Sequence, residues 1–517
     1  MKYIKKIILK NFGKFKYLEI DFDEKLNVLI GDNEAGKSTI LSAIDIVLSG
    51  SRNKVEMYGL ESLFNKETVD EFLKSNKKIT NLPKLEVELY LNDQNNMSLD
   101  GKYNSLQESG HGLLLKCEYR EDLTKGINEI LNQKEANFPF EYYSIDFKTF
   151  SGESYTGYRK YISHLFLDNT QINSEYATRK YIKTMYQANT TDSDRNKHQN
   201  EYRKQKKRFE DENLANLNLI GNEYSFSVKS SHKSNLETDL SIQEDNIDIE
   251  NKGKGRQCFI KTDFALQQNK NDLDILLLEE PENHLSHLNM KKLIKKIENS
   301  SDKQLFITTH NSLISTRLDL RKSIFLNSNS NTPINFKELE KGTAKFFMKA
   351  PDNNILEYVL SQKVILVEGD AEYILMQKFF EEITGKTPEN LNIHIISAKG
   401  LTFKRYLGIS NILNIKTAII IDNDGKKDDV MKLYSDYNNG KNIKVFTDPD
   451  NEISTFEIAI YENNKEICEK LFKPKKLEVI KHMLDNKAES AFRLLENYDS
   501  NFIIPEYIRK AINWIKN

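Results

Sequence analysis

The chain has 517 residues, a formal net charge of −2 and 38% hydrophobic residues, which is enough for several domains with their own cores. This charge balance excludes a globally basic nucleic-acid-binding protein, so any such site has to be a local patch. Three distant cysteines without CxxC spacing argue against a disulfide framework and a zinc site. No apolar run reaches the length of a membrane span, and the charged start does not fit a signal peptide. We therefore expect a cytoplasmic protein with no membrane partner.

The first predicted elements are two strands joined by a Gly-containing turn, in YIKKIILKNFGKFKYLEIDF. A strand, a Gly-rich loop and a helix follow within residues 26–50, and further strands are predicted at residues 84–92 and 112–119. Residues 158–215 become polar and predict helices. Residues 229–251 are rich in Ser, Asp and Asn, which predicts a loop or an edge hairpin.

Two alternations of strand and helix follow, and each predicts its own parallel α/β sheet. The first has strands in NDLDILLLEEPE and KQLFITTHN, with the helix HLNMKKLIKKIEN between them. The second begins near residue 362 and has strands in QKVILVEGD, LNIHIISAKG, KTAIIIDND and KNIKVFTDPD. We place the domain boundary near residue 350, at the cluster APDNN, which gives domains 1–350 and 351–517.

A phosphate-binding loop is predicted at residues 31–38, GDNEAGKS, which fit GxxxxGK[ST] between a strand and a helix. Backbone N–H groups of such a loop bind phosphates at a helix N-terminus, where the helix dipole favours negative charge. Lys37 is expected to reach the β/γ-phosphates of ATP, and Ser38 to ligate a magnesium ion. The predicted nucleotide contacts of this loop are Gly31, Asn33, Gly36, Lys37, Ser38 and Thr39.

Three polar residues end the two strands of the first alternation. Glu279 and Glu280 end ILLLEE, so we assign Glu279 to the metal shell of the nucleotide and Glu280 to ATP hydrolysis. His310 ends LFITTH, where a switch histidine would sense the γ-phosphate. Solvated glutamates and a structural histidine are the alternatives for each residue taken alone, but the order of these motifs after the phosphate loop favours a function.

These motifs together resemble an ABC-type ATPase of the RecF/SMC kind, through IxLxNFxxF, the phosphate loop, EEPExHL and the strand ending in His310. The resemblance implies a P-loop α/β fold and a Gly-rich signature that contacts the ATP of a second head. Residues 253–257, GKGRQ, are the candidate signature, although they depart from LSGGQ and lack its Ser. A Gly-rich turn before a helix is the alternative. Ser286 and Asn289 stand where the family often shows HLHP.

Acidic residues also follow two strands of the second alternation. Glu368, Asp370 and Glu372 come after KVILV, and Asp422 and Asp424 come after TAIII. Carboxylates two apart on an extended segment point the same way, and adjacent parallel strands would bring Glu368 near both aspartates. Such a cluster is costly without a cation, so we predict bound Mg²⁺ or Mn²⁺, with a solvated turn as the alternative. Glu372, one helical turn after Glu368, could add a ligand, whereas Asp370 is expected to cap the helix.

Glu-Gly on one strand and Asp-x-Asp on the next resemble the Toprim domain, which implies a Rossmann-like second domain. The order of the two domains, with EEPExHL, VEGDAE, DND and the ending IPEYIRKAINWI, resembles the OLD (overcoming lysogenization defect) family of nucleases over nearly the full chain. The likeness extends to the Gabija nuclease subunit and to retron-linked OLD effectors. It implies a two-metal site in which Glu457 is a further ligand and Lys487 stabilises charge on the scissile phosphate. An ordinary helix-surface acid and a surface lysine are the alternatives for these two residues.

The resemblance implies an ATP-regulated, metal-dependent DNA endonuclease in bacterial anti-phage defence. Two alternatives stay open: a Toprim ribonuclease acting on tRNA or other structured RNA, and a RecF-like DNA-binding ATPase without nuclease activity. A partner protein, or an RNA or DNA element of a defence system, also stays open, as does the sign of the effect of ATP.

The family resemblance also implies a homodimer or higher homo-oligomer, formed through a helical insert at residues 160–235 of the ATPase. In that arrangement Leu165, Phe166 and Tyr186 would pack within the interface. Residues 195–208 carry seven Lys/Arg against one Glu. This stretch is either a phosphate-contact patch or a solvated helix face.

Overall fold

The computed structural model of the chain divides into two compact units. The first comprises Met1–Leu318 with Lys322–Asn335, and the second comprises Asp319–Arg321 with Phe336–Asn517. The division therefore falls before the boundary predicted near residue 350. The structure describes all residues except 32, 134, 159, 169–174, 215–225, 232–233, 268–272, 301, 312–313, 315–316, 328–329, 338, 350–353, 400–402, 439, 473–477 and 500.

The first unit is a mixture of strands and helices. Its strands are β1 Ile4–Phe12, β2 Phe15–Asp21, β3 Leu26–Gly31, β4 Leu85–Leu91, β5 Asp100–Gly101, β6 Gly110–Tyr119, β7 Tyr143–Thr149, β8 His164–Asp168, β9 Gln243–Glu244, β10 Ile247–Asp248, β11 Ile275–Glu279, β12 Gln304–Thr309, β13 Ser323–Asn327 and β14 Ser330–Asn335. Its helices are α1 Lys37–Ser49, α2 Arg52–Tyr58, α3 Leu60–Leu63, α4 Lys66–Lys74, α5 Thr124–Leu131, α6 Glu175–Ala188, α7 Asp192–Phe209, α8 Leu236–Asp239, α9 Lys254–Gln267 and α10 His287–Asn299.

Two six-stranded sheets share the core of this unit with helix α1. Strands β2, β1, β4 and β6 are antiparallel neighbours, and both β5 and β7 pair with β6. The other sheet has the order β14-β13-β3-β12-β11-β8, and only β13 and β14 run antiparallel to each other among these pairs. Ile40, Ile44 and Val47 of α1 are fully buried in one apolar cluster with residues of both sheets. The helix after the phosphate loop is therefore fixed in place by packing on two sides.

Most strands lie where the sequence predicts them, but residues 164–168 were predicted as helix and form strand β8. This strand pairs in parallel register with β11, and its Leu165 and Leu167 are buried. Sheet pairing outweighs the local helical pattern, which is weak over so short a run. Leu165 is buried and Phe166 is partly buried against the core cluster of the first unit, and their part in a dimer interface stays a prediction.

The rest of the predicted insert contains α6 and α7, whereas residues 215–225 lie outside the described part. Every residue of α7, all of them described, is at least partly exposed. The basic stretch at 195–208 lies on this helix, and four of its cations form ion pairs with acids: Arg195, Lys206, Lys207 and Arg208. These pairs favour the solvated-face interpretation of the stretch. The role of the insert in dimerisation stays a prediction.

The second unit is a parallel sheet covered by helices. Its strands are β15 Lys363–Val367, β16 Ile393–Ser397, β17 Lys416–Ile420 and β18 Ile443–Phe446. Its helices are α11 Lys341–Lys349, α12 Ile355–Leu360, α13 Asp370–Thr384, α14 Phe403–Leu413, α15 Lys427–Leu433, α16 Phe456–Asn463, α17 Lys465–Leu471, α18 Val479–Asp485, α19 Lys487–Glu496 and α20 Glu506–Lys516. The order β16-β15-β17-β18 makes β15 and β17 neighbours, so the residues that follow them lie at the same edge of the sheet.

The first unit is therefore a mixed α/β fold with the phosphate-loop segment between β3 and α1, and the second is a parallel α/β sheet, as the sequence predicts. Within the described part of the chain, none of the helices combines the length and the apolar content that a membrane crossing requires.

Candidate nucleotide and metal sites

The predicted phosphate loop joins the end of β3 to the start of α1, and its glycines permit close backbone packing. Gly31 ends β3, and a Cβ at this position would lie 2.4 Å from the carbonyl oxygen of Leu326. Gly36 precedes α1 with a φ of 95°, and a Cβ there would lie 2.4 Å from the ring of Phe15. Lys37 is buried, and its Nζ donates a hydrogen bond of 2.6 Å to the carbonyl of Gly31. Larger residues at the two glycines would thus displace the loop from the start of α1, where phosphate binding requires it.

This loop lines a cleft of about 770 Å³, a volume suited to a small-molecule ligand. The cleft is lined by Lys14, Asn33, Glu34, Ala35, Gly36, Lys37, Ser38, Thr39 and Glu280. Six of these, counting Glu280, were predicted from the sequence: Asn33, Gly36, Lys37, Ser38, Thr39 and Glu280. Lys14 was not predicted. The sequence feature that could have identified it is its position as a basic residue directly after Gly13, in the turn between β1 and β2.

The acids after the hydrophobic strand of this unit take up different positions. Glu279 ends β11 and is buried beside Ser38, with which it shares a hydrogen bond. Burial raises the pKa of Glu279 to about 6, against the opposing effect of that hydrogen bond. A carboxylate and a hydroxyl so arranged at the end of a phosphate loop are the oxygen ligands expected for a nucleotide-bound magnesium ion.

Glu280 leaves the strand with a φ of 43° and is held from two sides. Asn283 donates an Nδ2 hydrogen bond of 2.9 Å to its Oε2, and Nδ1 of His310 lies 3.0 Å from its Oε1. Its backbone N–H donates to the carbonyl of Thr308 at 3.1 Å. The structure therefore places the two residues predicted for hydrolysis and γ-phosphate sensing in direct contact, and adds Asn283, which the sequence analysis missed.

The candidate signature and the HLHP position both have local structural explanations. Gly255 lies in the first turn of α9 against the backbone of His284, where a Cβ would lie 2.1 Å from the carbonyl oxygen. Ser286 caps α10, because its hydroxyl accepts a hydrogen bond of 3.4 Å from the N–H of Asn289. The departure from the family pattern at this position thus retains a helix-capping residue.

In the second unit, four acids from four segments face one another at the carboxyl edge of the sheet. Glu368 follows β15, Glu372 lies in the first turn of α13, Asp422 follows β17 and Glu457 lies in the first turn of α16. The N–H of Asp422 donates to Oε2 of Glu368 at 3.3 Å. Each of the other three carboxylates raises the pKa of Asp422, so their negative charges act on it electrostatically.

Burial is the largest cause of the raised pKa values of the acids in this cluster. It raises the pKa of Asp422 to about 8 and that of Glu372 to about 7, and the neighbouring carboxylates act in the same direction. Burial also raises the pKa of Glu368, against the hydrogen bond from Asp422. Perturbed acids gathered in a cleft are typical of functional sites.

Lys487, the first residue of α19, supplies the positive charge of the cluster. Its Nζ lies 3.0 Å from Oε2 of Glu457, while the side chain stays half-exposed. Burial acts to lower the pKa of Lys487, but Glu457, Asp422 and Glu372 together raise it. Glu457 itself is only 3% exposed, so the helix-surface alternative for this residue is wrong. Lys487, Glu368, Glu372 and Asp422 line a cavity of about 350 Å³.

Two expectations about this edge are corrected. The strand ends at Ile420, and Asp424 has a φ of 50°, so Asp422 and Asp424 are not on one extended segment. Asp424 is exposed and outside the cavity lining, although its charge raises the pKa of Glu368. Its role as a metal ligand stays a prediction. Asp370 lies inside the first turn of α13 after the N-cap Gly369, so it does not cap the helix through its side chain.

The donor chemistry of the cluster fits a divalent cation of the Mg²⁺ or Mn²⁺ type, since it offers carboxylate oxygens only. The buried Oε2 of Glu457 accepts no hydrogen bond from the described residues, although it forms the ion pair with Lys487. Among the described residues, however, no three Asp, Glu, His or Cys side chains are already grouped closely enough to hold a metal ion.

The raised pKa values of Asp422 and Glu372 predict that stability depends on pH when a chelator removes divalent metal. The folded state keeps protons on Asp422 and Glu372 at pH values where the unfolded carboxyls, with ordinary values near 4, have lost them. The free energy of unfolding should thus fall as pH rises from about 4 to 8.

In EDTA, we expect Asp422→Asn to be more stable than wild type at pH 8 by at least about 1 kcal/mol, since one pKa unit corresponds to ~1.4 kcal/mol. Thermal unfolding at pH 5.5 and 8 measures this, with the exposed Asp436→Asn as control. Identical pH profiles for wild type and Asp422→Asn would contradict it.

Comparison with known protein families agrees with the two units. The family model described as AAA ATPase domain matches residues 1–314. The model described as Overcoming lysogenization defect protein-like, TOPRIM domain matches residues 359–424.

Among curated proteins, the DNA replication and repair protein RecF of Clostridium kluyveri is 33% identical over 101 residues, which are 16% of this chain and 28% of that protein. An ATP/GTP phosphatase of Helicobacter pylori is 23% identical over 339 residues, covering 59% of this chain and 85% of that protein. The chain thus spans little more than a quarter of the RecF protein it matches.

Similar solved structures include a chromosome-maintenance head domain and part of an OLD protein. The SMC head domain from Thermotoga maritima covers 64% of this chain and 97% of that chain, with 13% identity and a TM-score of 0.30. The C-terminal region of the OLD protein of Xanthomonas campestris pv. campestris covers 30% of this chain and 94% of that chain, with 22% identity and a TM-score of 0.23.

Proposed function

The chain belongs to the OLD family, with an AAA ATPase domain ahead of a TOPRIM domain, and from this premise we propose that it is an ATP-regulated, metal-dependent DNA endonuclease of anti-phage defence. The observation that carries the proposal is the cluster of Glu368, Glu372, Asp422 and Glu457 with Lys487 at one edge of a parallel sheet. Four carboxylates that face a half-exposed cation combine the groups needed to hold divalent metals and to neutralise a phosphodiester.

Each group has a distinct task in this proposal. Glu368, Glu372, Asp422 and Glu457 would supply oxygen ligands, and the exposed Asp424 would be a further ligand. Bound Mg²⁺ or Mn²⁺ would supply an activated water and stabilise the leaving oxygen. Lys487 lies half-exposed beside the cavity, where its ammonium can reach a non-bridging phosphate oxygen and offset the charge that develops during cleavage.

The first unit supplies ATP binding and hydrolysis in this scheme. Lys37 and the N-terminus of α1 hold the phosphates, Ser38 and Glu279 hold the nucleotide's magnesium, and Glu280 orients the attacking water. His310 contacts Glu280 and is placed to report loss of the γ-phosphate. ATP, through its binding or its hydrolysis, then regulates cleavage in the second unit. A homodimer built through the insert would bring two such heads together, as the family resemblance implies.

The substrate is tested by offering wild-type protein three nucleic acids with Mg²⁺ or Mn²⁺, each with and without ATP. The three substrates are supercoiled plasmid, single-stranded DNA and total tRNA, which distinguish double-stranded DNA, single-stranded DNA and RNA as the nucleic acid that is cut. We expect nicked or linear plasmid, and no fragments from tRNA. Cleavage of tRNA alone would replace the DNA assignment by the ribonuclease alternative. Hydrolysis of ATP with none of the three cut would contradict the proposal as it stands and favour the non-nuclease ATPase.

The Lys487 side chain is expected to contribute its positive charge to cleavage and little to the stability of the fold. Lys487→Ala should lower the cleavage rate about 10²-fold, by analogy with the loss of one charge-stabilising donor, while Lys487→Arg should retain more activity. Rates at saturating Mn²⁺ and melting curves measure the effect, and exposed Lys481→Ala serves as the matched control. Unchanged cleavage by Lys487→Ala in folded protein would return this residue to the surface-lysine interpretation.

A further inference from the structure

Asn423, the middle residue of the DND motif, is more completely buried than the aspartates on either side. It is 1% exposed, against 9% for Asp422, and Asp424 is open to solvent. A buried amide costs free energy unless its donors and acceptor are hydrogen-bonded. The hydrogen bonds of the Asn423 side chain therefore indicate its structural role.

The side-chain amide of Asn423 ties two loops together. Its Nδ2 donates towards three carbonyl oxygens of one loop, those of Asp448 at 3.1 Å, Asp450 at 2.7 Å and Ile453 at 3.1 Å. Its Oδ1 accepts a hydrogen bond of 2.8 Å from the N–H of Gly425. The nitrogen and the oxygen of the amide thus both have hydrogen-bond partners, and the amide closes the turn after β17 against the segment that follows β18.

The segment held by Asn423 leads directly to Glu457. It continues through Ser454, whose carbonyl accepts the N–H of Asp424 at 3.1 Å, to Phe456, whose N–H donates to Oδ1 of Asp422 at 2.8 Å. Thr455 then caps α16, and Glu457 lies in the first turn of that helix. The amide of Asn423 thus fixes the position of Glu457 relative to Asp422, the residue that precedes Asn423 in the chain.

We propose that Asn423 is a positioning residue that sets the distance between Asp422 and Glu457, and so tunes the divalent-metal affinity of the acid cluster. This inference rests on the proposed function only in assuming that the cluster takes a divalent cation. Loss of the amide frees the loop at 448–453, lets Glu457 move away from Asp422, and weakens metal binding more than it lowers the rate with metal bound. Changes behind metal ligands typically cost 10- to 100-fold in metal affinity or activity.

The test combines metal binding with a double-mutant cycle on the full-length protein. Mn²⁺ binding without nucleotide is followed by electron paramagnetic resonance for wild type, Asn423→Ala, Glu457→Gln and the double variant. We expect Asn423→Ala alone to raise the Mn²⁺ dissociation constant at least about 10-fold. In the Glu457→Gln background we expect the same change to add less than about 2-fold, because variants that act through one another are not additive. Alanine is chosen because aspartate would add charge beside the cluster.

Two controls separate the possible failures. Exposed Asn501→Ala should bind Mn²⁺ like wild type, and the melting curve and ATP hydrolysis of Asn423→Ala report whether the variant is folded. Unchanged Mn²⁺ affinity in Asn423→Ala, or equal effects in both backgrounds, would overturn the inference. If wild type binds Mn²⁺ through the cluster but cuts no nucleic acid, the proposed function fails while the positioning role is still decided by the binding data.

Discussion

Replacing Glu368 by glutamine is expected to lower metal-dependent cleavage by more than about 100-fold, since even changes behind the ligands of a metal site cost 10- to 100-fold. Glu368 lies at the end of β15, accepts the N–H of Asp422 and lines the cavity that Lys487 flanks. Glutamine keeps the shape of the side chain but removes a charge that a divalent cation needs. Relief of carboxylate crowding should at the same time leave the protein at least as stable in EDTA as wild type.

The comparison uses cleavage rates across a Mn²⁺ titration, with exposed Glu466→Gln as the matched control. A loss of activity that more Mn²⁺ restores would identify a weakened ligand. A loss that persists at saturating metal would place Glu368 closer to the reacting atoms. Wild-type rates for folded Glu368→Gln would remove this residue from the site.

The second large effect is expected in the ATPase unit. Glu280→Gln should slow ATP hydrolysis by about 10²- to 10⁴-fold, the range for loss of a general base, while ATP binding changes little. Asn283 and His310 hold the Glu280 carboxylate from two sides, and the amide of glutamine can keep much of that geometry without accepting a proton. Steady-state hydrolysis and equilibrium binding of a fluorescent ATP analogue measure the two effects separately.

The matched control for this variant is Glu298→Gln, an exposed glutamate on α10. Cleavage of plasmid by Glu280→Gln with ATP present then gives the sign of regulation. Persistent cleavage would mean that bound ATP permits it, and suppressed cleavage would mean that hydrolysis is required. Hydrolysis at the wild-type rate would instead assign the water-orienting role to a different residue.

Motif spacing predicted which side chains lie together where the chain itself fixes the geometry. The phosphate loop has to join a strand to a helix, and β15 and β17 are neighbours, so Lys37 and the pair Glu368 and Asp422 could be placed from the sequence. Glu457 and Lys487 could be assigned only through the family resemblance. They approach the cluster from helices far along the chain, and no local pattern encodes their 3.0 Å contact.

The failures have identifiable physical causes. Asp422 and Asp424 would point the same way only on an extended chain, but the backbone turns at Asp424, with a φ of 50° and with Asn423 buried in between. A residue between two acidic positions gives no periodic signal of its own, so its three carbonyl contacts could not be predicted. Strand β8 was missed because its five residues depend on pairing with β11, which is more than 100 residues away in the chain.

The most direct test of the central claim is a plasmid-cleavage assay on Asp422→Asn. Purified wild type, Asp422→Asn and Asp436→Asn are incubated with supercoiled plasmid and Mg²⁺ or Mn²⁺, with and without ATP. If the acid cluster cuts DNA, wild type and Asp436→Asn give nicked or linear products, and Asp422→Asn gives none while it still hydrolyses ATP. Equal cleavage by all three proteins would show that the phosphodiester is cut elsewhere and would contradict the assignment of this cluster as the nuclease site.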